Sequence, residues 1–422
     1  MEISDVFSPP FDTDLLKKRK KIRRMLLSDD GRFLDKKIAL LGGSTTHDIR
    51  DALELFLLHD GIRCTFYESE YAQYWQDAMF PNPELEAFQP DVIYLCTSIR
   101  NIARFPALAD SEEDVNILLD GEYHRFSAMW DRIAQTYRCP IIQNNFEYPY
   151  WRLLGNADAS NMRGRVNFVT RLNLKFAEYA ASHDNFYIHD LNYLSASFGL
   201  EAWSDPFYWH MYKYALSMPA IPYLAHSVAN IIKSLYGKNK KAIALDLDNT
   251  LWGGVVGDDG PENIQVGQET SVGQAYSEFQ EYLKLHKQLG VILNVVSKND
   301  PENALAGLNR PGMTLTPDDF IMIKANWEPK AQNLKEIAQT LSLGEDSFVF
   351  VDDNPAEREI VREYTAASAP DIGDAPERYV RALDRMGYFE VTALSADDAE
   401  RNRMYRQNAA RNRAEAEFAD YG

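Results

Sequence analysis

The chain has 422 residues, with 63 acidic against 44 basic side chains and a formal net charge of −19. This length exceeds one ordinary domain and predicts two or three. The acidic balance argues against nonspecific binding to nucleic acid or to an anionic membrane. No run approaches the roughly 18 apolar residues of a membrane span, and the first residues lack the layout of a signal peptide. We therefore expect a cytoplasmic protein that binds neither nucleic acid nor membrane.

The opening segment, residues 1–36, contains a basic run from Lys17 to Arg24 that lies between leucine-containing stretches. This pattern predicts a helix whose polar face carries the positive charge.

Residues 37–235 alternate apolar, strand-like runs with helical patterns. Strands are predicted at 37–42, 63–67, 92–97, 141–144 and 186–188, and two of the helices at 48–59 and 221–235. Strands that alternate with helices predict a parallel, doubly wound α/β sheet.

A polar, charged stretch at 236–241 predicts a domain boundary, and residues 240–392 repeat the alternation. Strands are predicted at 242–245, 291–296, 320–324 and 348–351, with a last strand near Ala366 and a helix at 376–386. The predicted fold class is α/β with two doubly wound parallel sheets. Residues 393–422 are predicted to form a charged helix. Its sequence has no helix stop signal at the end, so truncation of the chain at that point remains an open interpretation.

Three cysteines, Cys64, Cys96 and Cys139, have neither metal-ligand spacing nor a disulfide pattern. They are expected to be reduced and mostly buried thiols.

The most informative stretch follows the apolar run at 242–245, where Asp246 and Asp248 stand one residue apart. At a strand end both side chains point the same way, into the region where open α/β sheets bind ligands. Two carboxylates this close are costly unless a cation lies between them or one holds a proton. A solvated turn is the competing interpretation.

Polar groups also follow three further predicted strands of this half. Ser297 and Asn299 follow the second strand, Lys330 follows the third, and the pair Asp352-Asp353 follows the fourth. Each alone is compatible with a helix cap or a solvated turn. Because each of them lies at the carboxyl end of a strand, we expect them to converge on one crevice.

These residue types suit phosphoryl transfer. A carboxylate can attack phosphorus and form an aspartyl phosphate, and a second carboxylate can act as acid and base. Mg²⁺ prefers carboxylate oxygens, while a hydroxyl and a lysine can hold the phosphoryl oxygens.

The four motifs, an Asp-x-Asp-x-Thr element, a later Ser, a Lys and an acidic pair, resemble the haloacid dehalogenase (HAD) superfamily. The resemblance implies that Asp246 is the nucleophile and Asp248 the general acid/base. It further implies that Mg²⁺ is held by Asp246, Asp352 and the backbone carbonyl of Asp248, with Asp353 supporting the metal site.

The same resemblance assigns the phosphoryl group to Ser297 and Lys330, with Lys324 as the alternative lysine. It implies that Thr250 orients Asp248, and it groups Thr250 and Asn299 with the phosphate-binding residues. The segments between these motifs are too short for a separate cap domain, so the first half of the chain is the candidate cover.

A finer similarity is to the FkbH-like branch of this superfamily. It rests on four stretches: Asp246–Gly260, Val296–Asn299, Asn326-Trp327 and Val351–Arg358. Several members load a glyceryl group from an acyl phosphate onto an acyl carrier protein, often with Cys between the motif aspartates. Leu247 holds that place here, which favours a phosphatase or phosphotransferase acting on a phosphorylated metabolite. Glyceryl transfer to a carrier protein and a noncatalytic partner-binding role are the alternatives.

Residues 37–235 resemble the SGNH-hydrolase-type domain that precedes FkbH-like domains. Ser44, after the first strand, occupies the nucleophile position, with Asn145 as an oxyanion donor and His210 as a base. Phe207 stands where the expected Asp would precede the histidine, and the Gly-x-Asn-Asp block is not recognisable. A degenerate binding or cover domain is therefore expected, with an active hydrolase as the alternative.

Overall fold

The structure is a computed structural model that describes residues 6–12, 14–28, 33–394 and 401–408. The chain divides into two compact units, Met1–Lys233 and Ser234–Gly422. No helix among the described residues is both long and apolar enough to cross a membrane.

Unit 1 contains one sheet of five parallel strands in the order β2-β1-β3-β4-β5. The strands are β1 (Leu34–Gly42), β2 (Ile62–Glu68), β3 (Val92–Cys96), β4 (Ile141–Asn144) and β5 (Phe186–His189). The central strand β3 is apolar and buried along its whole length, as is typical of a parallel sheet that is covered on both faces.

The helices of unit 1 include the two that were predicted at 48–59 and 221–235. The α-helices are Asp14–Lys17, Arg19–Ser28, His47–His59, Tyr74–Met79, Pro83–Phe88, Glu112–Tyr137, Arg165–Ser182, Leu191–Phe198, Leu200–Trp203, Pro206–Tyr212 and Ile221–Leu235. Short 3₁₀ turns lie at Ile99–Asn101, Gly155–Ala159 and Met218–Ala220. Lys17 ends the helix Asp14–Lys17, and the rest of the basic run from Arg19 to Arg24 lies in the helix Arg19–Ser28, whose Ile22 is buried.

Unit 2 contains a four-stranded parallel sheet in the order β8-β7-β6-β9. The strands are β6 (Ala242–Leu245), β7 (Ile292–Ser297), β8 (Met322–Ala325) and β9 (Phe348–Val351). The strand predicted near Ala366 is wrong, because only an isolated bridge between Val349 and Ser368 occurs there.

The α-helices of unit 2 are Val256–Asp259, Ser271–Gln288, Pro301–Leu308, Lys330–Leu341, Pro355–Tyr364 and Tyr379–Asp384. Its 3₁₀ turns are Pro317–Asp319, Glu345–Ser347 and Pro376–Arg378, so the helix predicted at 376–386 begins as a 3₁₀ turn. Residues 401–408 are helical. The rest of the predicted charged helix, at 395–400 and 409–422, lies outside the described residues.

The order of the strands in unit 2 fixes where a ligand can bind. The chain passes from β6 through β7 to β8 on one side, and then returns to β9 on the other side of β6. The carboxyl ends of β6 and β9 therefore flank a topological switch point, where open α/β sheets bind ligands. The predicted fold class, two doubly wound parallel sheets, is confirmed.

Candidate functional site

The turn that follows β6 presents two carboxylates at the switch point. The amide N–H of Asp246 donates to the carbonyl of Val351 at 2.9 Å, which extends the pairing of β6 with β9 by one residue. Asn249 has a φ of 54°, in the left-handed region that asparagine tolerates. The hydroxyls of Tyr276 and Tyr379 donate to its carbonyl at 3.3 and 3.1 Å and fix the turn.

Lys330 is buried between two of the acidic groups. Its Nζ lies 3.0 Å from Oδ1 of Asp246 and 2.6 Å from Oδ2 of Asp352. Burial opposes its positive charge, but the two carboxylates outweigh burial and raise the pKa of Lys330. The lysine is therefore a fixed cation that balances part of the negative charge in the site.

Lys324, the alternative to Lys330, lies elsewhere. Its Nζ pairs with Oε2 of Glu336 at 2.6 Å, and the group is partly exposed. The contacts thus favour Lys330 as the lysine of the site.

Three carboxylates form a cluster with the ligand chemistry of a hard cation. One oxygen each from Asp246, Asp352 and Asp353 lies within 4.8 Å of the others. Burial, followed by the charge of Asp246, raises the pKa of Asp352 to about 6 and also raises the pKa of Asp353. Three oxygens that face one another in a mostly buried site are a donor set that fits Mg²⁺.

Asp248 is held by three hydrogen-bond donors from outside this cluster. Its Oδ1 accepts from Nε1 of Trp252 at 2.9 Å and from the amide N–H of Val256 at 3.0 Å, and its Oδ2 accepts from Nδ2 of Asn299 at 2.9 Å. Burial is the largest cause that raises the pKa of Asp248. The charge of Asp246 raises it further, whereas the hydrogen bonds from Val256 and Trp252 lower it.

Thr250 has a different contact from the one expected. Its hydroxyl accepts from the amide N–H of Asp353 at 3.2 Å and lies 3.5 Å from Oδ1 of that residue. Trp252, Val256 and Asn299 orient Asp248 instead. Thr250 therefore connects the β6 turn to the acidic loop after β9.

Trp252 and Arg358 were not assigned a role by the sequence analysis. Trp252 is fully buried, and its ring leaves no room for a side chain at Gly307. One nitrogen of Arg358 donates to the carbonyls of Asp352 and Asp353, both at 2.8 Å, and so holds the acidic loop. Its place in the first turn of a helix after an acidic pair is the sequence signal for such a role.

The remaining predicted residue of this site, Ser297, is buried at the end of β7. Its carbonyl accepts from the amide N–H of Asn326 at 3.2 Å, which joins the loops that follow β7 and β8.

In unit 1 no hydrogen bond joins Ser44 to His210 among the described residues. Ser44 is buried after β1, and His210 is exposed on the helix Pro206–Tyr212. The next residue, Thr45, contacts the end of this helix through the carbonyls of Tyr212 and Lys213. The amide of Asn145 is engaged at both ends: Nδ2 donates to Asp190 at 2.8 Å, and Oδ1 accepts from the amide N–H of Asn192 at 2.9 Å. One of the two N–H groups of Asn145 Nδ2 is thus already used within the fold.

Comparison with known proteins gives a family and a close structural match. Residues 37–233 match the family described as FkbH, N-terminal domain. The structure is similar to the crystal structure of the N-terminal part of the protein BF1531 from Bacteroides fragilis, which contains a phosphatase domain and is complexed with Mg. That match has a TM-score of 0.82 and 31% sequence identity, and it covers 91% of this chain and 100% of the other.

Two further solved structures give TM-scores too low to support an argument. For an ornithine carbamoyltransferase from Burkholderia thailandensis the TM-score is 0.18 and the sequence identity is 10%. That match covers 94% of this chain and 92% of the other. For a tagatose-6-phosphate ketose/aldose isomerase from Escherichia coli the TM-score is 0.19 and the sequence identity is 11%. That match covers 89% of this chain and 86% of the other. No curated protein sequence matches.

The chain therefore belongs to the FkbH-like family of HAD-type proteins. These similarities support a phosphatase of the HAD type.

The acidic cluster predicts a measurable affinity for Mg²⁺. Asp352→Asn removes one charged ligand at similar volume, so it should weaken Mg²⁺ binding by at least about tenfold, as measured by titration calorimetry. Asp258→Asn, at an exposed carboxylate on the helix Val256–Asp259, is the control and should bind like wild type. Equal affinity in wild type and Asp352→Asn would contradict the assignment.

Because no hydrogen bond joins Ser44 to His210 among the described residues, we predict that the Ser44 hydroxyl does no ester chemistry. Ser44→Ala should leave the rate of p-nitrophenyl acetate hydrolysis unchanged and should leave phosphatase kcat within a few-fold. Both rates can be followed by p-nitrophenol or phosphate release. A wild-type esterase activity that disappears in Ser44→Ala would show that unit 1 is a hydrolase.

Proposed function

We propose that this protein is a Mg²⁺-dependent phosphatase or phosphotransferase that works through an aspartyl phosphate on Asp246. Its substrate is a phosphorylated small metabolite or an acyl phosphate of a biosynthetic pathway. The observation that carries the proposal is the contact of Lys330 with Asp246 and Asp352 at the switch point of the sheet. A nucleophilic carboxylate, a fixed cation and an acidic metal site then lie together where a phosphoryl group would bind.

In the first step a carboxylate oxygen of Asp246 attacks phosphorus, and the bond from phosphorus to the leaving oxygen breaks. Asp248 gives its proton to that oxygen. In the second step a water oxygen attacks phosphorus while Asp248 takes the proton of the water. The bond between phosphorus and Asp246 breaks, and inorganic phosphate leaves.

The surroundings of Asp248 support its part in this cycle. An acid must hold a proton at working pH, and burial raises the pKa of Asp248. Its three hydrogen bonds fix the carboxyl beside Asp246 without using the lysine that balances the other carboxylates. Asp246 and Asp248 are thus suited to different roles, one as nucleophile and the other as acid and base.

Asp246, Asp352 and Asp353 are the residues that would hold Mg²⁺. When bound, the ion supplies positive charge that offsets the negative charge of the phosphoryl oxygens. Lys330 adds a fixed positive charge beside the nucleophile, and we assign to it and to Ser297 the binding of the transferred group.

Glyceryl transfer through a thiol of the protein is disfavoured by the chemistry of its cysteines. Burial is the first cause that raises the pKa of Cys64, Cys96 and Cys139 to about 12, 11 and 12, which keeps these thiols protonated. Leu247, between the two motif aspartates, is fully buried in the apolar core of unit 2. Intact mass of an acyl carrier protein incubated with the enzyme and a glyceryl phosphate donor would reveal glyceryl loading if it occurred.

Replacing the nucleophile should abolish turnover. Asp246→Asn is expected to lower kcat by about three orders of magnitude or more, because the amide oxygen is a poor nucleophile. Phosphate release from acetyl phosphate in Mg²⁺ measures this, and chelation with EDTA should stop the wild-type reaction. Asp258→Asn serves as control and should keep wild-type kcat. A kcat of the Asp246→Asn variant within tenfold of the wild-type kcat would rule out an aspartyl phosphate on Asp246.

A further inference from the structure

Trp327 combines high exposure with a fixed position. Its side chain is 70% exposed, the second-highest fraction among the large apolar residues identified as exposed. Its indole N–H nevertheless donates to Oδ1 of Asp300 at 2.9 Å. An exposed tryptophan that is held by a hydrogen bond presents its ring face to solvent at little cost in side-chain entropy.

The loop that carries Trp327 is itself locked. Asn326 and Asn333 exchange hydrogen bonds between their side-chain amides, at 3.1 and 2.7 Å. The amide N–H of Asn326 donates to the carbonyl of Ser297, and that of Glu328 donates to Oδ1 of Asn326 at 3.1 Å. Trp327 therefore sits on a short segment that is tied to the helix Lys330–Leu341 and to the end of β7.

The loop that carries Trp327 and the residue that holds its indole are both next to residues of the phosphoryl site. Trp327 is three residues before Lys330, whose ammonium contacts Asp246, so the chain between them spans at most about 11 Å. Asp300, which holds the indole, follows Asn299, whose amide contacts Asp248. The indole is thus anchored to the two loops that deliver groups to the nucleophile and to the acid.

We propose that Trp327 is a specificity-determining residue whose indole face contacts the leaving group of the substrate. The proposal rests on the phosphoryl-transfer function described above. A flat, apolar face at the rim of a charged site favours a leaving group with a planar or ring-shaped part over a small aliphatic one. The substrate class is therefore a phosphate ester or acyl phosphate whose organic part carries such a group.

Packing does not account for this residue. The ring does not belong to the buried apolar clusters of unit 2. The charged and polar groups that bind the phosphoryl oxygens are other residues, so removal of the ring leaves them in place.

The test compares probes that share a phosphoryl or phosphonate group and differ in its organic part. Trp327→Ala should lower kcat/KM for phenyl phosphate by about three- to tenfold, mostly through KM, and change kcat/KM for acetyl phosphate by less than about twofold. In Mg²⁺, titration calorimetry should show the same pattern for phenylphosphonate against methylphosphonate. Trp327→Phe should recover at least half of the loss, because a ring face remains. Tyr364→Ala, at a 59% exposed tyrosine that ends the helix Pro355–Tyr364, is the matched control.

Equal losses on both probes would overturn the proposal, because they would make Trp327 a support for Lys330 and nothing more. Unchanged values on both probes would overturn it as well. If the proposed phosphoryl-transfer function itself is wrong, the wild-type protein will release no phosphate from either phenyl phosphate or acetyl phosphate. The two phosphonates would still report whether the indole discriminates between organic groups.

Discussion

The ion pairs of Lys330 with Asp246 and Asp352 are the interaction on which the site depends. Taking a carboxylate such as Asp352, which is fully buried, out of water is costly unless an opposite charge lies beside it. One lysine gives two acidic groups a partner and leaves the cluster of carboxylates short of positive charge. That shortage is the physical reason to expect a divalent cation. A lysine placed anywhere else would leave Asp246 and Asp352 to repel each other.

The fold makes this arrangement possible through the order of its strands. Because β9 returns beside β6, residues more than a hundred positions apart meet at one edge of the sheet. Thr250 joins the two loops through the amide N–H of Asp353, and Arg358 holds the carbonyls of the acidic loop. These contacts fix the backbone, so the carboxylates converge without large movements of their own. Preorganisation of this kind is what electrostatic stabilisation of phosphoryl transfer requires.

The sequence predicted the two sheets, and it predicted that Asp246, Lys330 and Asp352 meet at one edge of a sheet. Both predictions follow from local sequence patterns. An apolar run followed at once by an acidic or hydroxyl group identifies the carboxyl end of a buried strand. Contacts between distant residues leave no such pattern, which is why the partner of Thr250 was predicted wrongly and Arg358 was given no role. The strand near Ala366 failed because a short apolar stretch forms a strand only where a neighbour pairs with it. In unit 1, Asn145 has the right residue type, but hydrogen bonds within the fold already use its amide oxygen and one of its two N–H donors.

The most direct test of the account is to trap the phosphoryl group on the enzyme. Asp248→Asn removes the base that activates water, whereas acetate is a good leaving group that needs no proton, so acetyl phosphate should still phosphorylate the variant. After an acid quench, peptide mapping by mass spectrometry should find the phosphoryl group on Asp246. Phosphate on any other residue, or wild-type release of phosphate without a phosphorylated peptide in the variant, would contradict the mechanism.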